Sequence, residues 1–325
     1  MPAFLRAVPA RTWILAGLWL GVAALLAWFH AEVIDFGPRQ ARILQRHDLV
    51  LAGTGAAPWV HRVLSPWIAE TLSRVLALSG LSRTDAVSAA YAIWRGVALG
   101  TVFLLFQRWL RLRFEEPWAW AGTGVLALLH GPSFVHYWFQ PDSPVDLAVW
   151  AGALVLTEER RDGWLFPLVL AGALNRETAV FAVLLHVALR WGREPSGRLV
   201  GRAAGLLATW AVVLAVLHAV VPGSGWAHGS TPAGMLAANF GHPSWFALAA
   251  VFLGVLWVAP VLAWRRLPAD LKRVCLVSLP YLLLVLAFGR IREVRLLLPL
   301  VLVLVPTFLV ALGARPSGLE REPGR

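Results

Sequence analysis

The sequence predicts an all-α fold, a polytopic bundle of transmembrane helices forming one domain over residues 1–313. Three observations carry that expectation. Of 325 residues, 58% are hydrophobic and only 14% are charged, so apolar windows follow one another almost end to end. The charges gather in short clusters between those windows, so the net charge of +11 speaks of orientation in a bilayer and not of nucleic acid. Cys275 is the only cysteine, which excludes an intrachain disulfide and a cysteine-based metal cluster.

Taken in order, residues 12–30 form the first span, and Arg6 and Arg11 hold the N-terminus in the cytoplasm. The segment PWVHRVLSPWIAETLSRVLALSG, residues 58–80, carries His61, Arg62, Glu70 and Arg74 at spacings that favour one helical face. It reads as an amphipathic helix lying on the membrane. A span near 89–109 then ends at RLRFEE, residues 117–130 run outward, and a return near 145–157 ends at EERRDG. The last two are short for a hydrocarbon core of about 30 Å, so tilting, local thinning or an aqueous cavity is expected.

The apolar stretch 164–190 is interrupted by NRET and flanked on both sides by charge of the inner-loop kind. A re-entrant hairpin with its bend at Asn175, Arg176 and Glu177 satisfies both flanks; one long span is the alternative. Segments 199–221, 246–264, 274–288 and 296–313 complete a set of about eight full spans, and residues 314–325 form a short, polar cytoplasmic tail expected to be disordered. In this arrangement nearly every basic cluster faces the cytoplasm except GRIREVR, residues 289–295, which turns outside.

The outer face then collects groups with chemistry. Glu32 and Asp35, three residues apart just beyond the first span, share a helical face, and a partly desolvated carboxylate there can act as a general base. Asp142 and Asp146 are four apart, with Ser143 as a potential N-cap and Pro144 at the first helical position. They suit electrostatic capping, acceptor orientation or a divalent cation such as Mg or Mn, with no metal signature that decides. Arg290, Arg292 and Arg295 are the phosphate candidates, since guanidinium binds phosphate oxygens in a bidentate manner and does not titrate away. Anchoring to lipid headgroups is the plainer role for the same residues. Arg176 beside Glu177 inside an apolar stretch needs an ion pair, a cavity or a substrate phosphate. Trp138 and Trp226 in the outer loops could stack on a sugar.

With Asp35 or Glu32 in a first outer loop that also carries PWVHRVLSPWIAE, Asp142 or Asp146 farther on, and the phrases HRVLSPW, NRETAV and REVRLLLP, the chain resembles the C-type glycosyltransferase superfamily of multi-spanning enzymes. That resemblance implies transfer of a sugar from a polyprenyl-phosphate carrier to an extracytoplasmic acceptor (glycan, lipid or protein) by an inverting mechanism in which metal is optional. It implies Asp35 or Glu32 as the activating acid, basic residues on the donor phosphate, and a place in a bacterial cytoplasmic membrane among its lipids. The chain departs from the pattern by its shortness and by lacking a large soluble C-terminal domain. A transporter or flippase of lipid-linked substrates, or a non-catalytic scaffold for envelope assembly, would also grip lipid phosphate with outer arginines.

Overall fold

A computed structural model describes residues 10–35, 37–134, 142–225 and 231–316, and every regular element among them is a helix. Trp138, Trp226 and the tail beyond Pro316 lie outside the described residues. Six helical stretches are long and apolar enough to cross a membrane: Trp13–Val33, Arg83–Arg111, Ser196–Val220, Pro243–Arg266, Ala269–Phe288 and Val294–Ala311. This is a multi-pass membrane architecture, with six such helices where the sequence suggests about eight spans.

Helix α1 (Ala10–Phe29) leans on α4 (Arg83–Arg111), where Gly100 lets Leu20 approach. Between them in the chain, α2 (Pro38–Leu51) and α3 (Leu64–Ala77) pack on the first turns of α4, beyond the end of α1. The pairing is fixed by polar contacts: His47 bridges Tyr91 and Glu70 at 3.0 Å each, and Trp94 donates to Ser65. Helix α3 buries Ser65, Pro66, Ala69 and Ser73 against the protein and turns Trp67 and Val75 outward; Leu78, just beyond its end, is exposed as well.

Helices α5 (Glu116–His130) and α6 (Ser143–Glu158) have 15 and 16 residues. At 1.5 Å per residue each is only about 23 Å long, short of a hydrocarbon core of about 30 Å, so neither is among those six, although α6 runs from Asp142 at one polar end of the bundle to Glu158 at the other. Helix α6 tolerates its shortness because α4, α7, α8 and α15 enclose it, leaving almost its whole length buried. The expected Ser143 cap moves back one residue. Asp142 occupies the N-cap position, and the Ser143 hydroxyl accepts a hydrogen bond from Arg295 at 3.1 Å.

Helices α7 (Leu165–Asn175) and α8 (Val180–Arg190) are separated by Arg176, whose extended backbone (φ −165°, ψ 145°) ends the first helix. The chain reverses there. Arg190 at the end of α8 donates to Asp162, just before α7, at 3.2 Å, while Asn175 at the bend donates to the Asp142 carbonyl at 2.9 Å. Gly172 permits this packing, because a Cβ there would sit 2.8 Å from that of Ala179 and 3.0 Å from Val149. Helix α9 (Ser196–Val220) covers the pair and exposes Val212, Val216 and Val220 on its other side.

The remaining helices are α10 (Pro232–Phe240), α11 (Pro243–Leu253), α12 (Ala259–Ala263), α13 (Ala269–Leu276), α14 (Ser278–Phe288) and α15 (Leu298–Ala311). Helix α15 is the most apolar and the most enclosed, so it forms the axis of the core, while α9, α11 and α12 present apolar side chains outward. Polar groups sit at the two ends. Arg113 pairs with Glu158 and Asp270, Arg193 also meets Asp270, and Arg202 meets Asp162 at one end; Arg62, Asp142, Glu177 and Arg295 lie together at the other.

Candidate functional site

A cavity of about 320 Å³ opens at the second of these ends. Three separated stretches build its polar wall: the turn before α3, the α7–α8 bend, and the turn between α14 and α15. Arg62 comes from the first. Its two terminal nitrogens reach Asp142 Oδ2 at 2.8 Å and Glu177 Oε2 at 3.1 Å. Burial opposes its charge, but Glu177 and then Asp142 outweigh that penalty and raise its proton affinity. Asp142 is the converse case. Burial favours its neutral form, yet Arg62, Arg176 and Arg295 hold the carboxyl below the usual carboxylate range.

Arg176 lies between the two aspartates, 3.8 Å from Asp142 Oδ2 and 3.7 Å from Asp146 Oδ2, and Thr178 donates to Asp146 Oδ1 at 2.8 Å. This arrangement does not fit a divalent cation, because guanidinium groups already fill the space that the cation would need between the carboxylates. Among the described residues no group of three or more His, Cys, Asp or Glu side chains is placed to hold a metal ion.

GRIREVR is shaped by a residue that no motif in the sequence singles out. Asn239, buried on α10, donates to the carbonyls of Leu286 and Gly289 at 2.8 Å each and accepts from the Ile291 amide at 3.0 Å. A lone Asn within AANF is the only signal of it, and it does not name its partners. The clamped turn sends its three arginines different ways. Arg295 points inward to Glu293 at 2.8 Å and to Ser143; Arg292 lies over the Trp245 ring at 5.0 Å; Arg290 lines the cavity and has no carboxylate partner among the described residues.

The cavity is therefore lined by Arg62, Arg176, Arg290 and Arg295 with Glu177 and Glu293, while Leu284, Val285 and Phe288 of α14 and Met235 of α10 supply an apolar wall. His61 and His218, stacked with centroids 3.9 Å apart, complete its rim. Nothing in the spacing of these two histidines, far apart in the chain, announces the pair.

Asp35 and Glu32 are placed elsewhere. Asp35 is buried and receives His30 at 3.0 Å and Arg95 at 3.2 Å; with Glu32 it borders a groove between α1 and α4 that shares no lining residue with the cavity. The structure thus brings Arg176, Glu177, Asp142, Asp146, Arg290 and Arg295 into one neighbourhood and leaves Asp35 and Glu32 outside it. Comparison with family models, curated proteins and solved structures returns no match for this chain.

Proposed function

We propose that the protein is a membrane enzyme that moves a sugar from a polyprenyl-phosphate carrier to an acceptor at the extracytoplasmic surface of a bacterial cytoplasmic membrane. One observation carries the reading: a single cavity joins Arg290, an arginine without a carboxylate partner among the described residues, to the apolar wall of α14. A lipid-linked phosphate has both chemistries in one molecule, and fixed guanidinium groups stabilise the charge that develops on a departing phosphate. Arg62 and Arg176, held by Asp142, are pre-organised for the same task.

The membrane placement follows the charge clusters. The end bearing Arg113, Arg193 and Arg202 faces the cytoplasm and the cavity faces outward. Helices α7 and α8 then form a re-entrant pair whose bend reaches the cavity, and α3 rests on the outer surface with Trp67, Val75 and Leu78 in the headgroup layer. On this reading Asp35 is an anchor for Arg95 and not the base.

The test is reconstitution in lipid vesicles with undecaprenyl-phosphate carrying glucose, mannose, galactose or arabinose, following loss of the donor. Wild-type protein is expected to consume one of these donors, Arg290→Ala to lose most of that activity, and Asp35→Ala to follow any loss of folded protein. Movement of an intact donor across the bilayer without cleavage would make the protein a transporter, and an Arg290→Ala variant as active as wild type would remove the cavity from the mechanism.

A further inference from the structure

Transfer to an acceptor hydroxyl needs a group that takes its proton, and most of the charged groups at the cavity are committed. Glu177 is engaged by Arg62 at 3.1 Å, Glu293 by Arg295 at 2.8 Å, and the arginines accept no proton at neutral pH. Tyr281 spends its hydroxyl hydrogen on the Leu296 carbonyl at 2.8 Å. The histidines differ. His218 Nδ1 donates to the Leu214 carbonyl at 2.8 Å, which fixes the neutral tautomer and leaves the lone pair on Nε2. His61 Nε2 donates to the Val221 carbonyl at 2.9 Å, so its Nδ1 carries the lone pair, and that atom is buried with no hydrogen-bond partner among the described residues. The carbonyls of one helix end thus set both rings. The exposed ring of His218 rests on the buried ring of His61 at 3.9 Å with 26° between planes, in the wall of the same cavity as Arg62 and Arg290.

Resting on the transfer reading above, we propose that His218 is the acid–base group of the reaction and His61 the residue that positions it. The acceptor hydroxyl gives its proton to His218 Nε2 as its oxygen bonds to the anomeric carbon. The bond from that carbon to the carrier phosphate breaks, and its electron pair leaves with the phosphate, which gains one negative charge facing the arginines. The imidazolium formed lies over the face of His61, where a neutral aromatic ring stabilises a cation.

The experiment uses the full-length protein in vesicles with the donor that wild type consumes and an alkyl glycoside as acceptor. His218→Gln, which keeps a polar side chain but cannot carry the proton, is expected to lower kcat on the order of 100-fold with KM little changed. His218→Ala should fall equally and recover in part with added imidazole, a rescue that a structural role would not give. Separately, diethylpyrocarbonate should modify His218 in the free protein and be blocked by undecaprenyl phosphate, a readout independent of turnover. Undiminished transfer by His218→Gln, or modification unaffected by undecaprenyl phosphate, overturns this assignment even where Arg290→Ala is inactive and the transfer reading stands. A wild-type protein that consumes no donor removes that reading and this one with it.

Discussion

Arg62 donates to Asp142 at 2.8 Å across 80 residues of chain, and its second nitrogen reaches Glu177. That fork ties the turn before α3 to the start of α6 and to the α7–α8 bend, so three chain segments are held in register by one guanidinium. Removing a partner from a buried pair leaves an uncompensated charge and costs about 3–5 kcal/mol. Arg62→Ala and Asp142→Ala should both lower the midpoint of thermal unfolding in detergent well below that of Arg290→Ala. Equal midpoints for the three would mean that Arg62 is not a structural tie.

The proposed sidedness of the two polar ends can be tested by labelling. Cys275 is buried, so the background of a cysteine scan is low. Ser79, in the exposed turn between α3 and α4, belongs to the cavity end, and Ser196, at the exposed start of α9, belongs to the other. With Ser79→Cys and Ser196→Cys, a membrane-impermeant maleimide should label the first in intact cells and the second only after permeabilisation. Labelling of both from outside would invert or break the assignment of sides.

Asn239 makes three hydrogen bonds to the backbone around GRIREVR, each buried or partly buried. Asn239→Ala leaves two carbonyls and one amide without that partner, at roughly 1–3 kcal/mol for each group that stays unsatisfied. The turn should loosen before the bundle does. Hydrogen exchange over residues 288–293 is expected to accelerate on the order of 10-fold or more in Asn239→Ala, with α15 still protected. Unchanged exchange in the turn would show that Gly289 and the Glu293–Arg295 pair hold it unaided.

The helical class, six of the about eight expected apolar spans and the interruption at NRET were legible because they depend on composition and on neighbours in the chain. Asn175 and Arg176 stand out in an apolar stretch for the reason that burying them is costly without partners. What the sequence could not supply was pairing at a distance. Placing Glu32 and Asp35 beside the first span gave them a helical face but not the groove that Ala89, Ala92 and Gly96 of α4 complete, nor the ion pair that Arg95 of the same helix makes with Asp35. Ser143 looked like a cap because its alternative employment, Arg295, lies 152 residues away. The stacked histidines and the Asn239 clamp were hidden for the same reason, since side-chain periodicity reports which face is buried and not which residue meets it.

Gly172 sets the closeness of the α7–α8 pair to α6. A Cβ there meets Ala179 at 2.8 Å and Val149 at 3.0 Å, neither of them the end of a flexible side chain. Gly172→Val must therefore push the helices apart, an overpacking cost of about 1–3 kcal/mol that shifts the bend carrying Arg176 and Glu177. The variant should unfold at lower temperature and bind undecaprenyl phosphate more weakly than Gly205→Val, whose Cβ would meet the ring of Phe166 on the far side of α7. Matching affinities in the two variants would show that the position of the bend does not govern the cavity.

Glu70 on α3 provides a pH test. Burial favours its neutral form, but hydrogen bonds from His47 and Arg74 and the charge of Arg83 outweigh it and hold the carboxyl at about 2, against an ordinary value of 4.5. A carboxylate whose affinity for protons is depressed on folding contributes stability that is fully present above the unfolded value and is lost as pH falls toward the folded one. The packing of α2 and α3 on α4 should weaken between about pH 4.5 and pH 2, because a protonated Glu70 no longer accepts as a charged partner from His47, Arg74 and Arg83. Hydrogen exchange in α3 should therefore speed up between pH 5 and pH 3, after correction for the intrinsic rate, in the wild-type protein. Glu70→Gln should begin with lower protection and show little further change over the same interval, since it has no proton to gain. A parallel loss of protection in both proteins would assign the acid sensitivity to other carboxylates, of which Asp48, paired with Arg83 at 2.8 Å, is the nearest candidate.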